Sequence, residues 1–319
     1  MDVACVGILV ADIFANPIPR LPAEGELITT SNFVTSVGGC AANVGVALRI
    51  LGREVVVAGK VGTDMFGDFV ISDLKRHGIG VEHIRRTSHY STSGTVIFAV
   101  EGQDRRYLHC IGANADFTLG DIDCSLLDNA RVLYVGGYLA MPAFAPNELA
   151  GLFRDAKRRD ITTVLDVVMP AGAQFGLEDV AGALPYTDYF LPNHDEAARL
   201  TGCTDARDQV DCLSKLNPSC AIVVTRGPAG SLAKRGGRII ETPPFPIETV
   251  DESGAGDAFT AGLITGLLEN WDFEHTLSFA GAVGASCTRA LGCSAGVFTF
   301  DEAAAFFAGT ERGSHRNKR

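Results

Sequence analysis

The sequence predicts an α/β fold: a doubly wound, mostly parallel central sheet with helices on both faces, and a small β-sheet lid beside it. Three observations carry this. Short apolar or β-branched runs recur along the 319 residues, and helical patterns lie between them. Several runs are apolar throughout, as strands covered on both faces must be.

In chain order, strands are expected at Ala4–Val10, Val55–Val61, Thr95–Val100, Val132–Val135, Thr162–Asp166, Tyr189–Leu191 and Ala221–Thr225. Helices are expected at Ala41–Leu51, Phe66–His77, Pro146–Arg159, Asp195–Thr201, Arg207–Leu216, Gly256–Glu269 and Phe273–Ala290. Two stretches break the rhythm. Asp12–Val34 is extended and carries three prolines before Gly25. Ser91–Cys110 reads as a hairpin, TVIFAV and RYLHCI joined at Glu101-Gly102-Gln103-Asp104. Together they form the expected lid, inserted at about 12–34 and 90–113 in a domain spanning 1–309; the polar, basic tail 310–319 is expected to fray.

Composition bounds the function. A hydrophobic content of 46% with 20% charged residues is that of a globular protein. The net charge of −11 excludes a general nucleic-acid binder, which needs basic surface to displace counterions. It leaves a nucleotide open as ligand, because a helix N-terminus holds phosphate whatever the overall charge. Nine cysteines, an odd number with no C-x-x-C pair, predict free thiols rather than a disulfide framework or zinc site. The run Val3–Val10 lies between Asp2 and Asp12 without a basic flank, unlike a signal peptide. No apolar stretch reaches the roughly 20 residues of a membrane span, so a soluble, cytoplasmic protein is expected.

The most informative segment is Asp251-Glu252-Ser253-Gly254-Ala255-Gly256-Asp257-Ala258-Phe259. Gly254, Ala255 and Gly256 let a ligand approach the backbone where a helix begins and its N–H groups are unpaired. Negative charge on a migrating phosphoryl group is stabilised there. Asp257 follows in the first turn, placed to take a proton from an attacking hydroxyl; alternatively it only complements the helix dipole. A second segment, Ser36 to Gly52, sets Gly38 and Gly39 before a helix of small residues, which by itself reads as tight packing. It lacks the G-x-G-x-x-G of dinucleotide-binding folds.

The first segment resembles the C-terminal signature of the ribokinase (PfkB) family of carbohydrate kinases, D-T-x-G-A-G-D, with Glu252 where Thr is usual. The second resembles the family's N-terminal signature through Gly38, Gly39, Asn43, Leu51 and Gly52. The resemblance covers about residues 3–300 and implies a ribokinase-like fold and transfer of the γ-phosphate of MgATP to a sugar's primary hydroxyl. It implies Asp257 as base and Gly254, Ala255 and Gly256 as anion hole, with the Glu252 carboxylate turned away from the phosphates. Asp12, Gly38, Gly39, Asn43 and Asn114 are then acceptor-binding residues; a carboxylate such as Asp12 suits vicinal hydroxyls.

In the middle of the chain, Asn193 and Glu196 match an N-x-x-E motif and are carried over as phosphate and water-mediated Mg²⁺ contacts, with Asp195 as an auxiliary and His194 a bystander. Helix capping is their alternative. Thr225, Gly227 and Gly230 match a T-x-G-x-x-G nucleotide loop in which Arg226 is a surface side chain. Phe279–Gly296 resembles the adenine-side helix and loop. Asp251, Ser253, Ser286, Arg289 and Gly292 sit where family members place a monovalent cation, K⁺. Gly62-x-Asp64-x-x-Gly67 reads as a structural turn, and Gly262-x-x-x-Gly266 as close helix packing. By resemblance, a homodimer through the lid is possible.

The acceptor is less legible. A sugar is favoured and a nucleoside is the alternative, with Phe14, Phe98 and Tyr138 as candidate walls for a base. A sugar acid would use Arg106. A silent binding protein on this scaffold and a nicotinamide-dependent dehydrogenase are the rival classes; intact Asp257 opposes the first and the missing glycine fingerprint the second.

Overall fold

The computed structural model describes residues 1–103 and 106–316. Asp104 of the expected hairpin turn and residues 317–319 of the expected tail lie outside them. The strands are β1 (Val3–Gly7), β2 (Val10–Ile18), β3 (Phe33–Gly38), β4 (Val55–Gly62), β5 (Gly80–Thr87), β6 (Gly94–Val100) and β7 (Arg106–Cys110). They continue with β8 (Val132–Gly136), β9 (Thr162–Leu165), β10 (Tyr189–Phe190), β11 (Ala221–Thr225), β12 (Ser231–Arg235) and β13 (Arg238–Thr242). The helices are α1 (Cys40–Ile50), α2 (Met65–Arg76), α3 (Pro146–Lys157), α4 (Glu178–Ala181), α5 (His194–Thr201), α6 (Ala206–Ser214), α7 (Ala255–Leu268), α8 (Phe273–Cys287) and α9 (Phe300–Arg316).

Nine strands form the main sheet in the order β13-β12-β11-β10-β9-β8-β1-β4-β5. From β5 to β11 every pairing is parallel, and β12 and β13 close the far edge antiparallel. The chain builds outward from β1 through β4 and β5, then returns to β8 and runs the other way. This reversal opens a crevice at the carboxyl ends of the strands, where ligands of doubly wound sheets bind. The β1 and β8 side chains are wholly buried, which explains their unbroken apolar pattern.

The second sheet has four strands in the order β3-β2-β6-β7. Sequence reading expects one strand over Ala4–Val10; the chain instead leaves β1 at Gly7 and enters the small sheet at Val10. The cause is Asn114, 2% exposed. Its Oδ1 accepts from Leu9 N at 3.1 Å and its Nδ2 donates to Leu9 O at 3.0 Å, so Leu9 bonds to a side chain instead of a ladder. Other differences are local. The half-exposed edge strand β5 and the β12–β13 hairpin escape the sequence reading, and α9 continues to Arg316, through part of the segment expected to fray.

Helices α7 and α8 are buried almost all round and pack closely. A Cβ on Gly262 would lie 2.8 Å from Ala280 Cα, and one on Gly266 2.8 Å from Thr276 Cγ2, which accounts for the G-x-x-x-G spacing. No helix among the described residues is long and apolar enough to cross a membrane. All nine cysteines are free thiols.

Asn114→Ala strands a buried peptide N–H and C=O at Leu9. The expected loss is about 2–4 kcal/mol in urea unfolding, and a change below about 0.5 kcal/mol would show that the clamp does not hold the Leu9 turn.

Candidate active site

Two helix starts face each other at the crevice. Gly39 is the N-cap of α1 with φ 89°, and a Cβ there would collide with Ile8 O. Gly254 is the N-cap of α7 with φ 76°, and a Cβ there would collide with Cys293 O. Glycine is required at both on conformation and on space. From these starts Asn43 and Asp257 meet: Asn43 Nδ2 donates to Asp257 Oδ2 at 2.8 Å, across 214 residues of sequence. The Cys40 thiol donates to the same carboxylate. Protein surrounds Asp257, yet one face stays open to the crevice.

Burial pushes the Asp257 carboxyl up to about 6, against the pull of Asn43 and Cys40. Burial likewise raises Asp12 to about 6, with a Thr95 hydrogen bond opposing. Glu196 is raised to about 7, by burial and by repulsion from Asp257. Asp166 is raised well above the carboxylate range, by burial and then by the charges of Glu196 and Asp257. Sequence reading gives Asp166 no role. It follows directly on β9, accepts from Tyr134 Oη at 3.1 Å, and shares a cluster with Cys40 and Asp257 whose ligating atoms lie within 4.8 Å of one another. Cys40, also unassigned by sequence, has its thiol pushed well up by burial and by Asp257.

Beside this cluster lies a cavity of about 470 Å³. Asn193, Thr225, Gly227, Gly230, Ala255 and Gly256 all line it. Its apolar wall is the segment Pro243-Pro244-Phe245-Pro246-Ile247, which carries no motif in sequence, and α8 adds Gly281, Gly284 and Ala285. Asn193 caps α5, its Oδ1 accepting from Glu196 N at 2.9 Å while a Glu196 carboxylate oxygen accepts from Asn193 N at 2.9 Å. The capping alternative is therefore realised in these two residues, and it orients the Glu196 carboxylate at the crevice. Arg226 reaches Ala229 O and Glu241 instead of the cavity.

Several expectations need correction. Asn114 does not reach the acceptor space, because Leu9 takes its amide. Asn43 holds Asp257. Ala255 N donates to Glu252 O at 3.2 Å, so its N–H is not a free member of an anion hole. Glu252, whose carboxylate is expected to turn away from the phosphates, is exposed and borders the cavity. At the expected cation site, Asp251 accepts from Ser253 N and Gly292 N, both at 2.7 Å. Ser286 Oγ lies between Val283 O and Phe298 N, and Arg289 donates to Ser286 O and Gly296 O while its guanidinium stacks 3.9 Å over Phe298. The guanidinium thus uses the Ser286 carbonyl at this site.

The aromatic candidates separate too. Phe14 pairs with Ile97 and Phe98 with Ala15, so the pleat sends Phe14 and Phe98 to opposite faces of the small sheet. Tyr138 is 2% exposed and packs edge-on against Phe144. Arg106 pairs with Phe98, on the face away from Asp12, and bonds Gln103.

Cleft carboxylates beside a helix start and a nucleotide-sized cavity are the equipment of a phosphotransferase of the doubly wound class. The chain belongs to the pfkB family of carbohydrate kinases, whose model matches residues 1–299. The 5-dehydro-2-deoxygluconokinase of Clostridium perfringens is 28% identical over 92% of this chain and 88% of its own length. The ribokinase of Bacillus subtilis is 28% identical over 89% and 92%. In fold, the chain is similar to Arabidopsis thaliana ribokinase, a structure complexed with ribose and ATP (TM-score 0.80, 22% identity, 96% and 98% covered).

The raised carboxyl of Asp257 binds its proton more tightly folded than unfolded. Its contribution to stability is therefore complete below about pH 4 and lost as pH rises through about 6. Asp257→Asn removes that penalty, so at pH 7.5 the variant should gain on the order of 1–3 kcal/mol and melt about 2 °C or more higher. A melting point unchanged at pH 7.5 would show that the carboxylate is not desolvated as described.

Proposed function

We infer that this protein transfers the γ-phosphoryl group of MgATP to a primary hydroxyl of a sugar, with Asp257 as base. The observation that carries this reading is the junction of Asp257, held by Asn43, with the cavity reached from Gly256. The adenine would lie in the slot between the Pro243–Ile247 wall and Gly281, Gly284 and Ala285, and the phosphates would run past Gly227 toward the start of α7. Gly256, bare of a side chain, offers its N–H at the positive end of the helix.

The family's nucleotide comes with Mg²⁺, and the oxygen donors here suit it. Glu196 and Asp166 are the residues that would hold it, directly or through water, and it would offset charge on the phosphates. Asp257 accepts the proton of the acceptor hydroxyl, whose oxygen bonds to the γ-phosphorus as the bond to the β-phosphate oxygen breaks and ADP leaves. Asn43 and Cys40 keep the carboxylate in place for that transfer. Asp12 binds acceptor hydroxyls, and the small sheet serves as a lid that keeps water from the γ-phosphate. Its outer face carries Phe33 and Leu108, 66% and 67% exposed, an apolar surface suited to a second copy of this chain.

ADP release measured over pentoses, hexoses, sugar acids and nucleosides tests the reading; sugars are expected to give turnover, and silence with every acceptor would sink it. Asp257→Asn should bind ATP normally by calorimetry yet lose about 10²-fold or more in turnover. With the base near 6, kcat/KM should fall about tenfold per unit below pH 6 and level off above it. Because Arg289 already bonds the Ser286 carbonyl at the expected cation site, rates in potassium and in tetramethylammonium chloride should agree within about twofold. A steep potassium dependence would mean that the guanidinium gives way to the ion.

A further inference from the structure

The outermost strand of the small sheet carries a side chain that the mechanism above leaves unused. Pairing sets Asp12 opposite Thr95, and Thr95 opposite His109, so the three form one row across β2, β6 and β7 on a single face. Asp12 exerts its charge on Asp257 and Cys293, so this face looks toward the reacting end of the crevice. His109 is exposed enough for a ligand to reach it.

Donors and acceptors orient the row. An ionised Asp12 only accepts, and the Thr95 hydroxyl donates to it. That hydroxyl has one proton, so across its 3.1 Å contact with His109 Nδ1 the imidazole must donate. The ring proton therefore sits on Nδ1 and Nε2 is a bare lone pair. The half-buried ring also has its ordinary value lowered by desolvation, which favours the neutral form.

We propose that His109 is a specificity-determining residue for the acceptor, its Nε2 accepting a hydrogen bond from a substrate hydroxyl while Asp12 accepts from its neighbours. The inference rests on the phosphotransfer reading and names the substrate class: a neutral polyol. Nε2 and the Asp12 oxygens present acceptors only. A ligand with donors satisfies them; one with a carboxylate at that end meets lone pairs and negative charge and loses its own solvation. Removing the matching hydroxyl leaves Nε2 unpaired, and sites that read a hydroxyl discriminate strongly against its loss.

The test compares wild type with His109→Ala, His109→Gln and Thr95→Val, by ADP release over sugars, their deoxy analogues and the corresponding sugar acids. For the preferred sugar, His109→Ala should raise the acceptor KM about tenfold or more, with the KM for MgATP moving less than about twofold. The deoxy analogue lacking the hydroxyl that His109 reads should show the same KM in wild type and His109→Ala. His109→Gln, which restores a carbonyl acceptor, should recover part of the loss. Nitrogen-15 NMR should find Nε2 unprotonated in the wild type, and Thr95→Val should mix the tautomers. An acceptor KM unmoved in His109→Ala, an equal rise for every analogue, or a proton on Nε2 overturns this inference while wild-type turnover keeps the kinase reading standing. Wild-type protein that releases no ADP with any acceptor overturns both.

Discussion

The hydrogen bond from Asn43 to Asp257 is the constraint around which the site is arranged. It spans 214 residues and ties the first turn of α1 to the first turn of α7. Both helices start on glycines in backbone conformations that other residues resist, so both starts are fixed in direction before any ligand arrives. Converging helix N-termini make a field that favours negative charge, and that field permits several carboxylates to share one cleft. Asp12, Asp166, Glu196 and Asp257 all have raised values, and none joins an ion pair among the described residues. A protein selected for stability alone would pair or remove such groups. Left unpaired, they leave a cluster of carboxylates whose charge no basic side chain among the described residues balances at ion-pair distance.

The two sheets divide the work, and the Leu9 turn joins them. Rigid parallel strands deliver Asp166, Asn193 and Thr225 at one edge of the main sheet, each just past the carboxyl end of its strand or at it. The small sheet carries Asp12, Thr95 and His109 in one row on a surface with a separate hydrophobic layer, where Phe14 and Ile97 are 2% and 3% exposed. Because Asn114 takes both polar groups of Leu9, the chain passes from one sheet to the other without leaving a buried peptide unsatisfied. The clamp therefore sets where Asp12 sits relative to Asp257.

What could be read from sequence was what depends on neighbours along the chain. The turn Gly254-Ala255-Gly256-Asp257 declares itself because small residues, helix start and acid are contiguous. The strands β1 and β8 declare themselves because burial on both faces makes them wholly apolar. Asp166 was illegible for the opposite reason: a single aspartate after a strand becomes part of a site only when β9 lies beside β8 and β10. Cys40 reads as a small packing residue until α7 approaches it. The hairpin signal located β6 and β7, but the faces on which Phe14, Phe98 and Arg106 lie follow from register with β2, which no local pattern encodes. For Asn114 the resemblance points to the residue but not to the direction of its amide, since sequence does not say which backbone an amide will meet.

Glu252 shows how the cleft tolerates a departure from the family signature. Its backbone oxygen accepts from Ala255 N at 3.2 Å, so the residue shapes the first turn of α7 through its main chain, whatever its side chain. The residue borders the cavity and is exposed, so water screens its charge, in contrast to the buried acids at the strand ends. A charge at that position weakens its repulsion of phosphate through solvation, and it leaves the geometry of Gly256 and Asp257 untouched. The signature residue can vary there because the anion-facing part of the motif is backbone, and that backbone is held by Gly254 and by Asp251 on Ser253 and Gly292, while Asn43 holds the Asp257 side chain.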